Sequence, residues 1–240
     1  MEFYIEVRNR FLEVIDKYNI DMNKSVTIKA LTPVNAIGIP DRFDYPILKG
    51  KELLVDADFQ GSIGQAYTSN PCSYVGTLRE VVNLDISIDK NIPILVATIN
   101  AVLKNLGIVD RTIHCKNEEP KNCSFDILSF FKENYKGKNI GLVGLQPAML
   151  SVLSREFKLR VLDLDVDNVG KFKDGVLIEN GEESFDDVVN WADVLLVTGS
   201  CCANKTLKNF IMDKEVYFYG TSIAGIAYLM NLKRLCYLAK

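Results

Sequence analysis

Apolar residues recur near the start of the chain at alternating steps of three and four: Tyr4, Val7, Phe11, Val14 and Tyr18. That spacing predicts one buried face of an α-helix ending near Asn19. The pattern then changes to short segments bounded by Gly, Pro or Asp: Ser25 to Ala30, a turn around Pro40 to Pro46, Glu52 to Val55 and Ser62 to Tyr67. These read as a small antiparallel meander. Thr77-Leu78-Arg79-Glu80 has the spacing of a capping box, which opens a short helix. A second helix follows, with Pro93 in its first turn, Val96, Ile99, Leu103 and Leu106 at helical spacing, and Gly107 as its stop.

Around Lys116 to Asn122 the composition turns charged and polar, with Pro120 inside, and a domain boundary is expected near residue 120. This divides the chain into 1–120 and 121–240. Beyond it a helix from Ser124 (Phe125, Leu128, Phe131) leads to Lys136-Gly137-Lys138. Strands are then expected at Asn139 to Val143, Arg160 to Leu164, Asp193 to Val197, Glu215 to Tyr219 and Leu235 to Leu238, with helices in the intervals. Short apolar strands alternating with helices predict a parallel sheet covered on both faces, so the second half is Rossmann-like α/β.

In such sheets a ligand lies beyond the carboxyl ends of the strands. Here those ends carry Gly144-Leu145-Gln146-Pro147, Asp163 to Asp167, Thr198 to Asn204 and Gly220-Thr221-Ser222. The most informative is Thr198-Gly199-Ser200, which closes an apolar strand and is expected to lead into a helix at Asn204-Lys205-Thr206-Leu207. A turn of that kind aims N–H groups, hydroxyls and an amide at one point. Gly141-Leu142-Val143-Gly144 lacks the full spacing of a dinucleotide fingerprint. Asp163, Asp165 and Asp167 suit a hard cation or a ribose. Alternate residues of a strand face opposite ways, so Asp163 or Asp165 is the candidate rather than all three. Cys201-Cys202 invites a soft transition-metal ion, although the chain has no C-x-x-C pair of the kind that builds structural metal sites. Asn100 shares a helical stripe with Val96 and Leu103 and is either a satisfied core amide or a group facing the cleft.

Composition narrows the classes. Of 240 residues, 48% are hydrophobic, enough to core the chain without staples. With 28 Lys+Arg against 31 Asp+Glu and no basic cluster, nucleic acid is not an expected partner. No apolar run is long enough to span a membrane, and Glu2, Glu6, Arg8, Arg10 and Glu13 are unlike a signal peptide. Six cysteines in a well-cored chain read as reduced thiols, and a cytoplasmic location is expected. The single histidine, His114, falls in the polar linker region beside Cys115, which disfavours a hydrolytic triad.

Taken together, Gly64-Gln65-Ala66-Tyr67-Thr68, Ile99-Asn100-Ala101, Gly144 to Pro147, Ala192-Asp193-Val194, Thr198-Gly199-Ser200, Asn204-x-Thr206-Leu207 and Gly220-Thr221-Ser222 resemble the putative heavy-metal chelation family of prokaryotic proteins. The resemblance implies an N-terminal α+β domain like the first domain of enolase, followed by a Rossmann-like domain, with a site in the cleft between them. The chain departs from the family in two places. Gly220-Thr221-Ser222-Ile223-Ala224 stands where prolines are usual, and a cysteine pair after the T-G-S element is not general. Three functions follow as expectations. The first is handling of a transition metal or a small metal-chelating compound. The second is an enzyme using a nucleotide-like or S-adenosylmethionine-type cofactor, and the third a non-catalytic sensor. The expected ligand-binding residues are Gly144, Gln146, Pro147, Asp163, Asp165, Thr198, Gly199, Ser200, Asn204, Thr206, Gly220, Thr221, Ser222 and Asn100, with Cys201 and Cys202 for a metal.

Overall fold

The computed structural model describes residues 2–49, 52–70 and 72–240. The first helix, α1 (Glu2–Lys17), buries Tyr4, Val7, Phe11 and Ile15. Tyr18 lies past its end and is exposed, because the apolar stripe turns onto Ile15 in the last helical turn. Four strands follow, β1 (Ser25–Ala30), β2 (Leu53–Phe59), β3 (Ser62–Thr68) and β4 (Tyr74–Thr77), with the short helix α2 (Pro33–Ile37) between β1 and β2. They form an antiparallel sheet in the order β3-β2-β1-β4. Thr77 and Glu80 close the expected capping box at the start of α3 (Leu78–Val82).

The helix α4 (Asn91–Asn105) is buried from Asn91 to Leu103 on every side. A helix apolar all round needs cover all round. The antiparallel sheet supplies one flank, where Gly64 of β3 comes so close that a Cβ there would lie 2.2 Å from the Ala101 backbone N. Helix α8 (Ala224–Met230) supplies another through Gly225, whose missing side chain leaves room for Ile99 and Asn100. One apolar cluster therefore runs from α1 and the antiparallel sheet through α4 into Leu195, Val197, Phe218 and Ile226 of the second half.

The second half carries α5 (Glu119–Asn134), β5 (Asn139–Val143), α6 (Pro147–Leu153), β6 (Lys158–Asp163), β7 (Phe172–Lys173), β8 (Val176–Asn180), α7 (Phe185–Trp191), β9 (Val194–Thr198), β10 (Glu215–Tyr219), α8 and β11 (Lys233–Leu235). The sheet order is β11-β10-β9-β5-β6-β8-β7, parallel except for the β7–β8 hairpin at one edge. Strand order reverses at β5, with β6 on one side and β9 on the other. The fold is thus mixed α/β, an antiparallel sheet followed by a mostly parallel one, as the alternation of elements predicts.

Several expectations need correction. Helix α5 begins at Glu119 rather than Ser124, with Pro120 in its first turn, and Phe125 points to solvent. Proline is pre-shaped for a helix start, so Pro120, inside the polar stretch where a domain boundary is expected, opens α5. The last strand is Lys233–Leu235 rather than Leu235 to Leu238, and the hairpin β7–β8 lies where no strand was expected. No α-helix starts at Asn204. Two 3₁₀ turns, Gly199–Cys202 and Leu207–Phe210, flank a segment in which Asn204 Oδ1 accepts from Thr206 N and Oγ1 and Lys205 has φ of 64°. Side-chain bonding to the local backbone competes with helix formation there.

Candidate functional site

The carboxyl ends of the parallel strands and the facing part of the antiparallel half enclose a cavity of about 870 Å³. It lies at the β5/β9 reversal, the place where open parallel sheets leave a crevice. Gly144, at φ +80°, turns the chain out of β5, and a Cβ there would strike the Thr198 side chain at 2.6 Å. Glycine is required on both counts. Thr198, at the tip of β9, accepts from Ser200 N, and its Oγ1 lies 3.0 Å from Ser200 Oγ. These hydroxyls are oriented by one another and by the turn.

Asp163 ends β6. Its carboxylate accepts from Leu145 N at 2.6 Å and from Asp165 N at 2.6 Å, tying the β5 and β6 tips together. Asp165 in turn accepts from Asp167 N and from Asn168 Nδ2. Because the strand stops at Asp163, the alternation of faces lapses, and Asp163 and Asp165 both line the cavity while Asp167 does not. Tyr219, at the end of β10, donates from its hydroxyl to the Gly144 carbonyl at 2.9 Å, and burial pushes its phenol well up.

Most sequence-predicted residues therefore meet at one place. Gly144, Gln146, Asp163, Asp165, Thr198, Gly199, Ser200, Cys201, Asn204, Thr206, Gly220, Thr221 and Ser222 all line the cavity. Three do not. Pro147 is buried in the first turn of α6. Cys202 is fully buried, its carbonyl accepting from the Tyr4 hydroxyl, and burial raises its thiol pKa. Asn100 is wholly buried and fully bonded: Nδ2 donates to the carbonyls of Gln65, Thr221 and Ser222, and Oδ1 accepts from Gly225 N at 2.7 Å. It is the core amide, and it ties both halves to the Gly220-Thr221-Ser222 loop.

The other wall was missed. Ile37, Tyr45, Ile47, Glu52, Tyr67 and His114, all N-terminal, line the same cavity. His114, expected in a polar linker, packs edge-on against Tyr67, with ring centroids 5.8 Å apart. The segment before it is drawn in by Gln65, whose Oε1 accepts from His114 N at 2.7 Å and whose backbone N donates to the Thr112 carbonyl. His114 Nδ1 lies 2.6 Å from the Cys115 carbonyl, which only accepts, so Nδ1 carries the proton of a neutral ring. Burial lowers its pKa and favours that neutral form. Tyr67 N donates to Ser222 Oγ at 2.9 Å, a second tie across the halves.

Glu52, in the cavity lining, is a strongly perturbed carboxyl. Burial first, and then the charges of Asp163 and Asp165, push its pKa up to about 7. Tyr45 is pushed up to about 12 by burial. Among the described residues, the hydroxyls of Tyr45, Thr98 and Thr221 are buried without a hydrogen-bond partner. Among the described residues, no group of three or more His, Cys, Asp or Glu side chains is arranged to hold a metal ion. No helix among them is long and apolar enough to cross a membrane.

Fold and site together define a two-sheet α/β protein with a ligand-sized cavity at the switch point of its parallel sheet. Residues 126–223, under half of the chain, match the model of the family DUF364, described as putative heavy-metal chelation. The resemblance stated from the motifs is borne out. Two solved structures of similar fold come from that family, both titled as proteins of unknown function. One, from Pyrococcus horikoshii, aligns at a TM-score of 0.55 and 14% identity over 90% of this chain and 78% of its own. The other, from Desulfitobacterium hafniense, aligns at a TM-score of 0.50 and 16% identity over 75% of this chain and 73% of its own. No curated protein matches the chain.

Proposed function

We propose that the protein binds a compact organic ligand in the cavity between its halves, 1–120 and 121–240, and that any heavy metal enters as that ligand's cargo. The observation that carries this reading is the cavity itself. Its volume of about 870 Å³ is in the range of small-molecule sites, far beyond the space one ion fills. The family description supports the metal part of the reading. Thr198, Ser200, Asn204, Gly220 and Thr221 position the ligand from the strand tips, and Cys201, the one cysteine of the pair on the wall, is the soft contact for a carried metal.

Thermal stability of the purified protein tests this, because a ligand that binds only the folded state raises the melting temperature. Nickel, zinc and copper ions are added alone and as histidine complexes, and adenine nucleotides and S-adenosylmethionine separately. The expected result is a larger rise with a metal–chelate complex than with the bare ion. That rise should be reduced by Cys201→Ser and lost when Ala203→Trp fills part of the cavity. A rise with a nucleotide or S-adenosylmethionine and none with any metal complex would replace this reading with the cofactor-dependent enzyme.

A further inference from the structure

Three stretches of chain that line the cavity are also bonded to one another behind it. The loop after β10 contributes Gly220 and Thr221, the stretch before α5 contributes His114 and Cys115, and the stretch from β11 onward contributes Leu235 and Ala239. Arg234, on β11, joins all three without lining the cavity itself. Its Nε donates to the Gly220 carbonyl at 3.0 Å, Nη1 to the Asp110 carbonyl at 3.3 Å and Nη2 to the Arg111 carbonyl at 2.6 Å. The first and third stretches away from this fork are joined once more, since Ile113 N donates to Lys240 O at 2.7 Å and Lys240 N to Ile113 O at 2.8 Å.

Each of these bonds completes a hold that other residues begin. Asn100 takes the carbonyls of Thr221 and Ser222 from the core, and the remaining carbonyl of that loop, Gly220, goes to Arg234. Arg111 has φ of 55°, a left-handed conformation unfavourable to a residue with a side chain, and its carbonyl accepts the shortest of the three bonds. From β3, the neighbouring residues are held by Gln65 and by the Thr112 hydroxyl, which donates to the Ile63 carbonyl at 2.6 Å. Those bonds tie residues 112–114 to the antiparallel half alone, whereas Arg234 ties the same stretch to a strand-tip loop of the parallel half. A guanidinium offers its donors in a planar fork, so one side chain can set several carbonyls in a fixed mutual arrangement, which the single nitrogen of a lysine cannot. We propose that Arg234 is a positioning residue of the cavity: its fork sets the Gly220 loop against the Asp110 to Cys115 stretch, and the fit of the ligand depends on that link. This rests on the cavity being the ligand site and adds a residue outside the lining that governs its shape.

The test compares three variants by amide hydrogen exchange and by their melting response to the probe, among the metal–histidine complexes and cofactors above, that raises the parent's melting temperature most. Arg234→Met keeps the apolar stem and loses the fork, and Arg234→Lys keeps the charge. Arg160→Met removes an arginine that is also multiply bonded, to Glu179 and Asp187, but whose partners lie outside the three stretches. The expected result in both Arg234 variants is exchange roughly tenfold or more faster at the Ile113 and Lys240 amides, with the amides of α4 unchanged and the melting rise cut by about half or more. Arg160→Met should lower the melting temperature and leave both readouts as in the parent. Unchanged exchange at Ile113 and Lys240 in Arg234→Met would overturn the inference and leave the cavity reading standing. Faster exchange with an undiminished melting rise would overturn it too, by confining Arg234 to a structural role, and parent-like behaviour of Arg234→Lys would do so by assigning the hold to charge rather than to the fork. A parent that responds to none of the probes would overturn the cavity reading, and the positioning role with it, whatever the exchange shows.

Discussion

The two walls of the cavity are built on different principles. The parallel-sheet wall is made of strand tips whose polar groups bind one another: Asp163 to Leu145 N, Thr198 to Ser200, and Tyr219 to the Gly144 carbonyl. Its chemistry is largely spent on holding its own turns. The antiparallel wall brings Glu52, Tyr45, Tyr67 and His114, whose ionisations are displaced by burial, and one of these side chains keeps an unpartnered hydroxyl. One wall is thus a cradle of self-bonded turns and the other a set of side chains whose ionisations burial has displaced.

The sharpest way to break that comparison is at the tie between the walls. Asn100→Ala removes three donated bonds and the acceptor for Gly225 N from a site with no access to water. Stranding these buried groups should cost about 3 kcal/mol or more, read as a lower midpoint in urea denaturation. A loss under about 1 kcal/mol would mean that the halves are held mainly by apolar contact.

The second prediction separates the walls by pH. The folded-state pKa of Glu52, about 7, lies above the 4.5 of an ordinary glutamate, so the folded protein holds this proton more tightly than the unfolded chain. The resulting stabilisation is complete below about pH 4.5, declines as pH rises through 7, and is absent above it. Glu52→Gln should therefore match the parent near pH 5 and exceed it at pH 8 by on the order of 2 kcal/mol, measured as the difference in melting temperature across that range. Equal melting curves at both pH values would place Glu52 in a wetter setting than its burial indicates. The smallest effect concerns a residue far from either wall. Thr77→Ala opens the capping box of α3 and should cost about 1 kcal/mol in the same melts without altering any ligand response.

The difference between the walls also decides what could be read from the chain. The parallel wall is legible because a strand end followed by small polar residues is a local pattern, and topology alone brings such ends together. Thr198-Gly199-Ser200 and Gly220-Thr221-Ser222 are visible in that way. The antiparallel wall is not, because Glu52 and Tyr45 sit in no motif, and the charges that act on Glu52 come from Asp163 and Asp165, more than a hundred positions away. Tyr67 stands inside a recognisable stretch whose pattern signals only a strand. His114 was misplaced because a polar neighbourhood reads as a surface linker, whereas Gln65 pins this segment beside β3. The helix expected at Asn204 failed for a subtler reason: the Asn and Thr that suit a helix start bind each other instead.

The central position of α4 limits how the two halves can move against each other. A rod gripped by the antiparallel sheet at Gly64 and by α8 at Gly225 cannot act as the axle of opening jaws, since any swing would strip apolar surface from one side of it. Any widening of the cavity would therefore have to come from short rim segments, such as the irregular stretch from Ala203 to Thr206, with the frame kept shut.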